Sequence, residues 1–180
     1  MSHDTHHVVL VDHNDRPIGV EDKRRAHAAG GRLHRAFSVF IFDAHARLLL
    51  QRRAATKYHF AGRWSNTCCS HAQPDEPLIQ TARRRLTVEM GFDVPLHHAG
   101  SFLYTATDAA TGLTEREYDH VFTGRFDAAP QPNPDEVDAW SWVALPHLTR
   151  DLAEHADRYT PWLAIALARL PIQTIATERV

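Results

Sequence analysis

The 180-residue chain has few cysteines, no long hydrophobic run and no excess of charge of one sign. Its two cysteines, Cys68 and Cys69, are adjacent, so a bridge between them would close a strained ring without joining distant segments. A disulfide framework is therefore excluded, and a reducing cytoplasm is the expected compartment. Lys and Arg number 20 against 22 Asp and Glu, for a net charge of -2. This balance excludes a global field that would attract nucleic acid or an anionic membrane.

The longest strongly apolar run, "AFSVFIFDA" at 36–44, is far too short to span a bilayer. The first 17 residues contain a short apolar run followed at once by charges, which is not the pattern of a signal peptide. With 43% hydrophobic residues, the composition is that of an ordinary globular protein. We therefore expect one soluble, cytoplasmic domain over residues 1–180, with neither a nucleic acid nor a membrane as partner.

Hydrophobic patterning and turn residues predict a mixture of strands and helices without a regular βαβ alternation. That order favours an α+β domain, layered α/β/α around a mixed central sheet. Segments 34–43 and 47–53 are predicted to form a hairpin, and 55–66 a loop. Strands are predicted at 7–12, 34–43, 47–53, 100–108, 116–126 and 135–145, and helices at 21–30, from Pro77 to Gly91, at 145–155 and at 160–170.

The helix that begins near Pro77 is the clearest element. Leu78, Ala82 and Leu86 recur every four residues and form one apolar stripe. Arg85 and Glu89 are four residues apart on another face, where they could hold a phosphate and a metal ion. A solvated ion pair explains the same spacing, and from this helix alone it is the favoured interpretation.

Two glutamates alternate at the start of a predicted strand. Glu115 and Glu117 therefore point to one face, where two carboxylates would repel each other. Such a pair is useful if a cation lies between them or if one of them stays protonated. An acidic edge that resists aggregation is the alternative.

Three histidines extend this hypothesis. Together with the two glutamates, His27, His34 and His71 would form an N/O site suited to Mn, Zn or Mg, although their spacing is not one that indicates a metal by itself. The segment "NTCCSH", 66–71, is open to three interpretations on its own: a redox pair, a metal site, or a nucleophile with its base.

Basic residues recur near these positions, at Lys23, Arg52, Arg53 and Lys57. In a chain with almost no net charge, they could gather around an anion such as a diphosphate. Alternatively, they are exposed charges that keep the protein soluble.

The order of these pieces resembles the Nudix box, which reads Gly, five residues, Glu, seven residues, Arg-Glu-apolar-x-Glu-Glu-x-Gly-apolar. Three positions depart from it: Ser70 replaces the first Gly, while Arg85 and Val88 replace glutamates. Nudix hydrolases use those glutamates to hold magnesium, so their loss argues against hydrolysis. The positions that fit are Glu76, Arg84, Leu86, Glu89, Gly91 and Phe92.

The departures point to one branch of that superfamily, because the chain resembles type 1 isopentenyl-diphosphate isomerases from about Val9 to the segment "TPWLAIAL". One local difference is Ala72, where the family usually has Pro. The resemblance implies the Nudix fold. The signatures, in order, are "HRAFSVF", "QRRAATKYH", "WSNTCCSH", "ARRRLTVEMG" and "EREYDHVF".

The resemblance also implies residue roles. Cys69 is implied as the catalytic thiol, with Cys68 as a packing neighbour. Glu117 is implied to transfer a proton with help from Tyr104 while also binding the metal, and Glu89 to hold a magnesium ion at the substrate diphosphate. The implied ligands of the divalent metal are His27, His34, His71, Glu115 and Glu117, and the implied substrate contacts are Lys23, Arg53, Lys57, Arg85 and Trp162.

The implied reaction converts isopentenyl diphosphate into dimethylallyl diphosphate by protonation and deprotonation through a carbocation, in isoprenoid precursor biosynthesis. The expected partner is this small molecule, and the expected state is a monomer or weak homodimer. Two other hypotheses are a Nudix hydrolase of a diphosphate and a non-catalytic metal-binding module. The sequence leaves open the metal, the oligomeric state, which of Cys69 and Glu117 is the acid, and the downstream pathway, carotenoid or other.

Overall fold

The computed structural model describes residues 6–177, so residues 1–5 and 178–180 of the predicted 1–180 domain lie outside it. Within the described part, strands dominate the first two thirds of the chain, and helices end it. The strands are β1 (His7–Val11), β2 (Pro17–Asp22), β3 (His34–Phe42), β4 (Arg47–Arg53), β5 (Trp64–Ser65), β6 (Cys68–His71), β7 (His97–Thr107), β8 (Thr114–Arg125) and β9 (Val137–Ala144). The helices are α1 (Lys23–His27), α2 (Leu78–Met90), α3 (Leu145–Glu154), α4 (Pro161–Arg169) and α5 (Ile172–Thr177), with a 3₁₀ turn at Ala156–Arg158.

Strand β3 lies at the centre of a mixed sheet. It pairs in parallel with β8 along its whole length, from His34 opposite Glu117 to Phe42 opposite Arg125. On its other side it pairs antiparallel with β6, and β7 extends the sheet beyond β8. Strands β5 and β9 both pair antiparallel with β4, and the β1–β2 hairpin touches β3 at one residue. The mixed sheet predicted from the sequence is confirmed.

Helices cover the sheet on both faces. Phe37, Val39 and Ile41 of β3 pack with α2 residues such as Leu86, whereas Phe40 belongs to the cluster that the C-terminal helices cover. Alternate residues of a strand point to opposite faces, so β3 buries both faces and reads as a continuous apolar run. This gives the three α/β/α layers expected from the sequence.

Helix α2 follows the predicted apolar stripe. Ala82 and Leu86 are fully buried, and the chain leaves the helix at Gly91, whose φ of 80° lies in the left-handed region. The stripe places Arg85 and Glu89 on the side that also becomes buried, at 7% and 2% exposure. The favoured sequence interpretation of this pair, a solvated surface, is therefore wrong.

Several element predictions need correction. The helix predicted at 21–30 is only α1, because Asp22 pairs with His7 in the β-hairpin and also caps the helix by accepting from the Arg25 N–H at 3.1 Å. The helix ends at His27, before a left-handed turn through Gly30 and Gly31. Strands β2, β5 and β6 and helix α5 were not predicted.

The predicted hairpin of segments 34–43 and 47–53 forms only at its turn. Phe42 pairs with Leu48, and beyond this pair the two strands diverge toward different partners. Asp43 closes the turn by accepting from the N–H groups of His45 and Arg47, at 2.9 and 2.8 Å. Beyond the turn, β6 pairs with β3 and β5 pairs with β4 on the two edges that would otherwise face each other.

Candidate active site

Five potential ligand residues meet at one end of the central sheet. His27 ends α1, His34 begins β3 and His71 ends β6, while Glu115 and Glu117 lie at the start of β8. The pairing of His34 with Glu117 and of Ala36 with His71 brings these positions to the same sheet end. One potential ligand atom from each of the five lies within 4.8 Å of the others, and all five side chains are buried.

Contacts inside this His/Glu cluster join imidazole nitrogens to carboxylate oxygens. The His27 Nε2 lies 2.7 Å from Glu115 Oε2, and the His71 Nε2 lies 3.0 Å from Glu117 Oε1. The His34 Nε2 lies 3.5 Å from Glu117 and 3.7 Å from Glu115, too far for a hydrogen bond, and within the described residues it has no other partner although it is buried.

The tautomers of two histidines suit metal binding. His27 donates its Nδ1–H to the Lys23 carbonyl at 2.5 Å, and His34 donates its Nδ1–H to the Arg32 carbonyl at 2.7 Å. A neutral imidazole with its proton on Nδ1 has a lone pair on Nε2, and here both Nε2 atoms face carboxylate oxygens. Lone pairs that face carboxylate oxygens repel them unless a proton or a metal ion lies between, so these residues fit a divalent metal ion.

The two carboxylates are held ionised. Burial would raise the pKa of Glu115, but the surrounding histidines, His27, His59 and His71, hold it well below its usual value. Burial and the charge of Glu115 would raise the pKa of Glu117, but the neighbouring histidines lower it. Burial lowers the pKa of His71, so its ring is neutral and its nitrogens can serve as ligands.

A cleft opens above the cluster, with an empty volume of about 450 Å³, part of which is open to solvent. All the sequence-predicted site residues line it except His27 and His34, which touch Glu115 beneath it. The residues that line the cleft are Lys23, Arg53, Lys57, Cys69, His71, Arg85, Glu89, Tyr104, Glu115, Glu117 and Trp162, together with Phe37, Ser38, His59 and Ser70.

The two cysteines occupy different environments because they alternate on β6. Cys68 is fully buried in the apolar cluster beneath α2, whereas Cys69 lines the cleft on the same face as His71. The Arg53 guanidinium approaches the Cys69 sulfur at 3.7 Å. Burial nevertheless raises the pKa of Cys69 to about 12, so the sulfur stays a protonated thiol at neutral pH.

Two aromatic side chains complete the cleft wall. Tyr104 donates its hydroxyl to Glu117 Oε2 at 2.5 Å, and burial together with the Glu117 charge raises the pKa of the phenol well above its usual value. The Trp162 indole N–H donates to Ser65 Oγ at 3.0 Å, which fixes the ring. The two ring centroids are 6.2 Å apart, and the Arg53 guanidinium lies 5.6 Å from the Trp162 ring.

Cationic side chains form another part of the cleft lining. Lys23 lies 5.3 Å from the Tyr58 ring, and Arg53 donates to the carbonyls of His59 and Phe60 at 3.1 Å each. Burial lowers the pKa of Lys23, which the charge of Glu115 opposes. These side chains give the cleft positive charge within a slightly acidic chain.

Glu136 joins two of the cationic residues. It pairs with Lys57 and accepts from Arg85 at 3.1 Å. Arg85 also donates to Glu89 at 2.7 Å, so the guanidinium lies between two carboxylates. Glu89 accepts a second bond from the Gln51 amide at 2.9 Å.

Sequence analysis did not predict His59 or Glu136 as part of this region. His59 Nε2 contacts Glu115 Oε1, and Glu136 lies beside Lys57 and Arg85. His59 is within the quoted signature "QRRAATKYH", but an irregular loop gives no periodicity from which its direction could be predicted. Glu136 lies between a run of prolines and β9, where no pattern distinguishes it from a surface acid.

The chain matches the sequence model of the NUDIX domain over residues 32–163. A solved structure of DR0079 from Deinococcus radiodurans has a TM-score of 0.76 at 21% identity and covers 92% of this chain and 99% of its own. A MutT protein from Methanosarcina mazei Go1 has a TM-score of 0.64 at 20% identity, covering 81% of this chain and 96% of its own. The fold is thus that of the Nudix superfamily.

Curated relatives define the branch. An "Isopentenyl-diphosphate Delta-isomerase 2" of Aromatoleum aromaticum is 52% identical over 91% of this chain and 85% of its own length. An "Isopentenyl-diphosphate Delta-isomerase" of Halorhodospira halophila is 48% identical over 95% of this chain and 98% of its own. The chain belongs to the type 1 isopentenyl-diphosphate Delta-isomerase family.

Proposed function

We propose that this chain catalyses the reversible conversion of isopentenyl diphosphate into dimethylallyl diphosphate. The observation that supports this most is one cleft in which a buried His/Glu cluster, a protonated thiol and four cationic side chains converge. Relatives about half identical over nearly the whole chain carry the name of this isomerase. Residues 1–180 are proposed to form one catalytic domain.

The reaction transfers two protons and leaves the diphosphate intact. The terminal alkene carbon gains a proton, a tertiary carbocation forms, and the carbon next to the diphosphate-bearing carbon loses a proton as the new double bond forms. An unactivated alkene is a weak base, so the acid must be positioned against it. General acid–base assistance of this kind contributes about 10²–10⁴-fold.

Cys69 and Glu117 are the proposed proton-transfer pair. The Cys69 thiol holds a proton at neutral pH, while Glu117 is a carboxylate that accepts a hydrogen bond from the Tyr104 hydroxyl. Since the reaction is reversible, each group acts as acid in one direction and as base in the other. Tyr104 and Trp162 present aromatic faces, which stabilise a cation by about 0.5–2 kcal/mol each.

The proposed ligands of the divalent metal are His27, His34, His71, Glu115 and Glu117. Bound there, an ion such as Mn, Zn or Mg would supply the positive charge that two buried carboxylates need and would set the acidity of Glu117. This chain's residues contribute the donor set and the ring orientations, since the carbonyls of Lys23 and Arg32 hold the His27 and His34 rings.

Lys23, Arg53, Lys57 and Arg85 are proposed to bind the substrate diphosphate, and Trp162 to face its hydrocarbon part. Glu89 is proposed to hold a magnesium ion that accompanies the diphosphate. Glu89 is buried at 2% exposure and lines the cleft beside Arg85, which supports this placement. Binding by several cations orients the small alkene, whose hydrocarbon offers few other contacts.

Two features count against a Nudix hydrolase. Arg85 and Val88 occupy positions where the Nudix box has glutamates, and the Arg85 guanidinium lies between Glu89 and Glu136. Two other box residues, Glu76 and Arg84, pair with each other at 2.8 Å. The chain thus has fewer of the carboxylates needed for hydrolysis. The two box glutamates that remain, Glu76 and Glu89, are each paired with an arginine.

The proposal also places the enzyme in the cytoplasm as a monomer or weak homodimer that binds neither membranes nor nucleic acid. Among the helices of residues 6–177, none is long and apolar enough to cross a membrane. The net charge of -2 offers no general attraction to polyanions.

The test is incubation with isopentenyl diphosphate and magnesium in deuterated water, followed by proton NMR. Wild type should give deuterated dimethylallyl diphosphate, and Cys69→Ala should give none. Cys68→Ala is the matched control and should keep turnover, because Cys68 packs beneath α2. Release of phosphate would favour the hydrolase, and absence of turnover with metal still bound would favour the non-catalytic module.

A further inference from the structure

The two oxygens of Glu115 are held by different histidines. Oε2 faces His27 inside the His/Glu cluster, whereas Oε1 contacts the Nε2 of His59. His59 is not one of the five residues whose ligand atoms converge, and its ring lies 5.4 Å from that of His27. His59 therefore reaches the carboxylate from outside the cluster.

The position of His59 is fixed by its neighbours rather than by a regular element. Its carbonyl accepts from Arg53, and its ring lies 4.2 Å from the Tyr58 ring. The next residue, Phe60, has a φ of 47°, a left-handed conformation that bulky residues seldom adopt. The Asp108 carboxylate holds Phe60 there by accepting its N–H at 3.0 Å.

The contacts of His59 also define its tautomer. The two ring nitrogens of His59 have different surroundings. Among residues 6–177, its buried Nδ1 has no hydrogen-bond partner, while its Nε2 faces a carboxylate oxygen that can only accept. The proton accordingly lies on Nε2 and is donated to Glu115.

We propose that His59 is a positioning residue that holds Glu115 Oε1 by an Nε2–H hydrogen bond, leaving Oε2 to bind the metal. The inference rests on the metal site of the proposed function. Partners that orient a ligating carboxylate in this way typically change metal affinity about 10–100-fold. His59 acts through Glu115 and has no direct contact with the ion in this proposal.

Isothermal titration of the full-length, metal-stripped protein with Mn²⁺ tests the proposal. His59→Phe keeps a ring but removes the donor, and its dissociation constant should rise about 10–100-fold. His59→Gln places an amide N–H near the position of Nε2 and should restore affinity to within a few-fold of wild type. Tyr58→Phe, the control in the same loop, should bind like wild type, because the Tyr58 hydroxyl has no hydrogen-bond partner in the described structure.

A second comparison applies if His59→Phe does not fold. The His59→Asn variant also carries an amide, but its side chain is too short to reach Glu115, so it should bind Mn²⁺ more weakly than His59→Gln. Equal Mn²⁺ affinities of His59→Gln and His59→Asn, or wild-type Mn²⁺ affinity of His59→Phe, would overturn the proposal. Loss of all Mn²⁺ binding in both His59→Phe and His59→Gln would make His59 a ligand and would also overturn it.

This titration is independent of turnover. A protein that binds Mn²⁺ as expected but does not isomerise isopentenyl diphosphate would refute the proposed function and leave the assignment of His59 intact. Conversely, isomerase activity in wild type with unchanged Mn²⁺ affinity in His59→Phe would refute only the assignment of His59.

Discussion

At the residue scale, one hydrogen bond joins Glu117, a proposed proton-transfer group, to Tyr104, which would hold it in position. The Tyr104 hydroxyl donates to Glu117 at 2.5 Å, and the two residues are only 7% and 6% exposed. A hydrogen bond to a charged group contributes about 1.5–3 kcal/mol, which makes this one a measurable part of the proposed proton transfer.

Replacement of Tyr104 by Phe should lower kcat about 10–150-fold while KM changes little, because the lost bond of about 1.5–3 kcal/mol concerns Glu117 and not the diphosphate. Steady-state kinetics with isopentenyl diphosphate measures both constants. Tyr118→Phe is the control, since its hydroxyl contacts Ser101 at 3.4 Å and does not line the cleft. An unchanged kcat in Tyr104→Phe would contradict a role for the hydroxyl.

Glu136→Gln should strengthen binding of inorganic pyrophosphate about 2- to 10-fold, because two partly exposed ion pairs no longer compete with the incoming anion. Glu136 pairs with both Lys57 and Arg85, and its side chain is 20% exposed. Competitive inhibition by pyrophosphate reports the change. Glu21→Gln, which breaks a surface pair with Arg32, should have no effect.

Weaker inhibition in Glu136→Gln would lead to a different conclusion. It would show that Glu136 holds the two cations in place for the diphosphate rather than competing with it.

At the element scale, helix α2 ends at Gly91, where the structure leaves no room for a side chain. Gly91→Ala should lower the free energy of unfolding by about 1–3 kcal/mol, since the residue has a φ of 80° and a Cβ there would lie 2.3 Å from the Gln131 carbonyl oxygen. Gly112→Ala is the matched control, with a φ of 73° but no atom within 4 Å of the added Cβ. Urea unfolding should show a clearly larger loss for Gly91→Ala.

Similar losses in the two glycine variants would mean that conformation alone, and not contact with Gln131, determines the cost at Gly91.

Elements with a strong period were predictable, whereas those defined by long-range pairing were not. The apolar stripe of α2 and the alternation of Glu115 and Glu117 are visible in the sequence, and both have the predicted faces. Strand β6 has only four residues and pairs with β3 about thirty positions earlier, so no local pattern distinguishes it from a loop. The partial hairpin of β3 and β4 has the same origin, because the pairing of β6 with β3 and of β5 with β4 cannot be predicted from the turn.

In the site, too, local patterns were predictable and long-range contacts were not. The ligand set and the cationic residues followed from a resemblance to a family, and the structure brings them into one cleft. Their roles remain predictions for the experiments above. Arg85 and Glu89 were favoured as a surface pair from the helix alone, since the burial of their face depends on Glu136 and Gln51, which lie far away in sequence.

For the whole molecule, we expect the metal to contribute to stability as well as to activity. Removing it with EDTA should lower Tm by about 5–10 °C relative to protein at a Mn²⁺ concentration of about 100 times Kd, which corresponds to about 2.7 kcal/mol. Two buried carboxylates lose their counterion when the metal leaves. Thermal unfolding measures the shift, and EDTA already saturated with Mn²⁺ is the control.

An identical Tm with and without the chelator would contradict this expectation and would indicate that the histidines alone neutralise the carboxylates.

The parallel pairing of β3 with β8 has a consequence for how the protein is made. His34 and Glu117 are neighbours across this pair, yet five complete elements, β4, β5, β6, α2 and β7, separate them along the chain. Ribosomes add about 5–20 residues per second, so the three histidines emerge seconds before either glutamate. Contacts between distant segments also slow folding. The nascent chain therefore presents three of the five proposed ligands before either glutamate, and the site can form only after β8, the strand that pairs in parallel with β3, has left the ribosome.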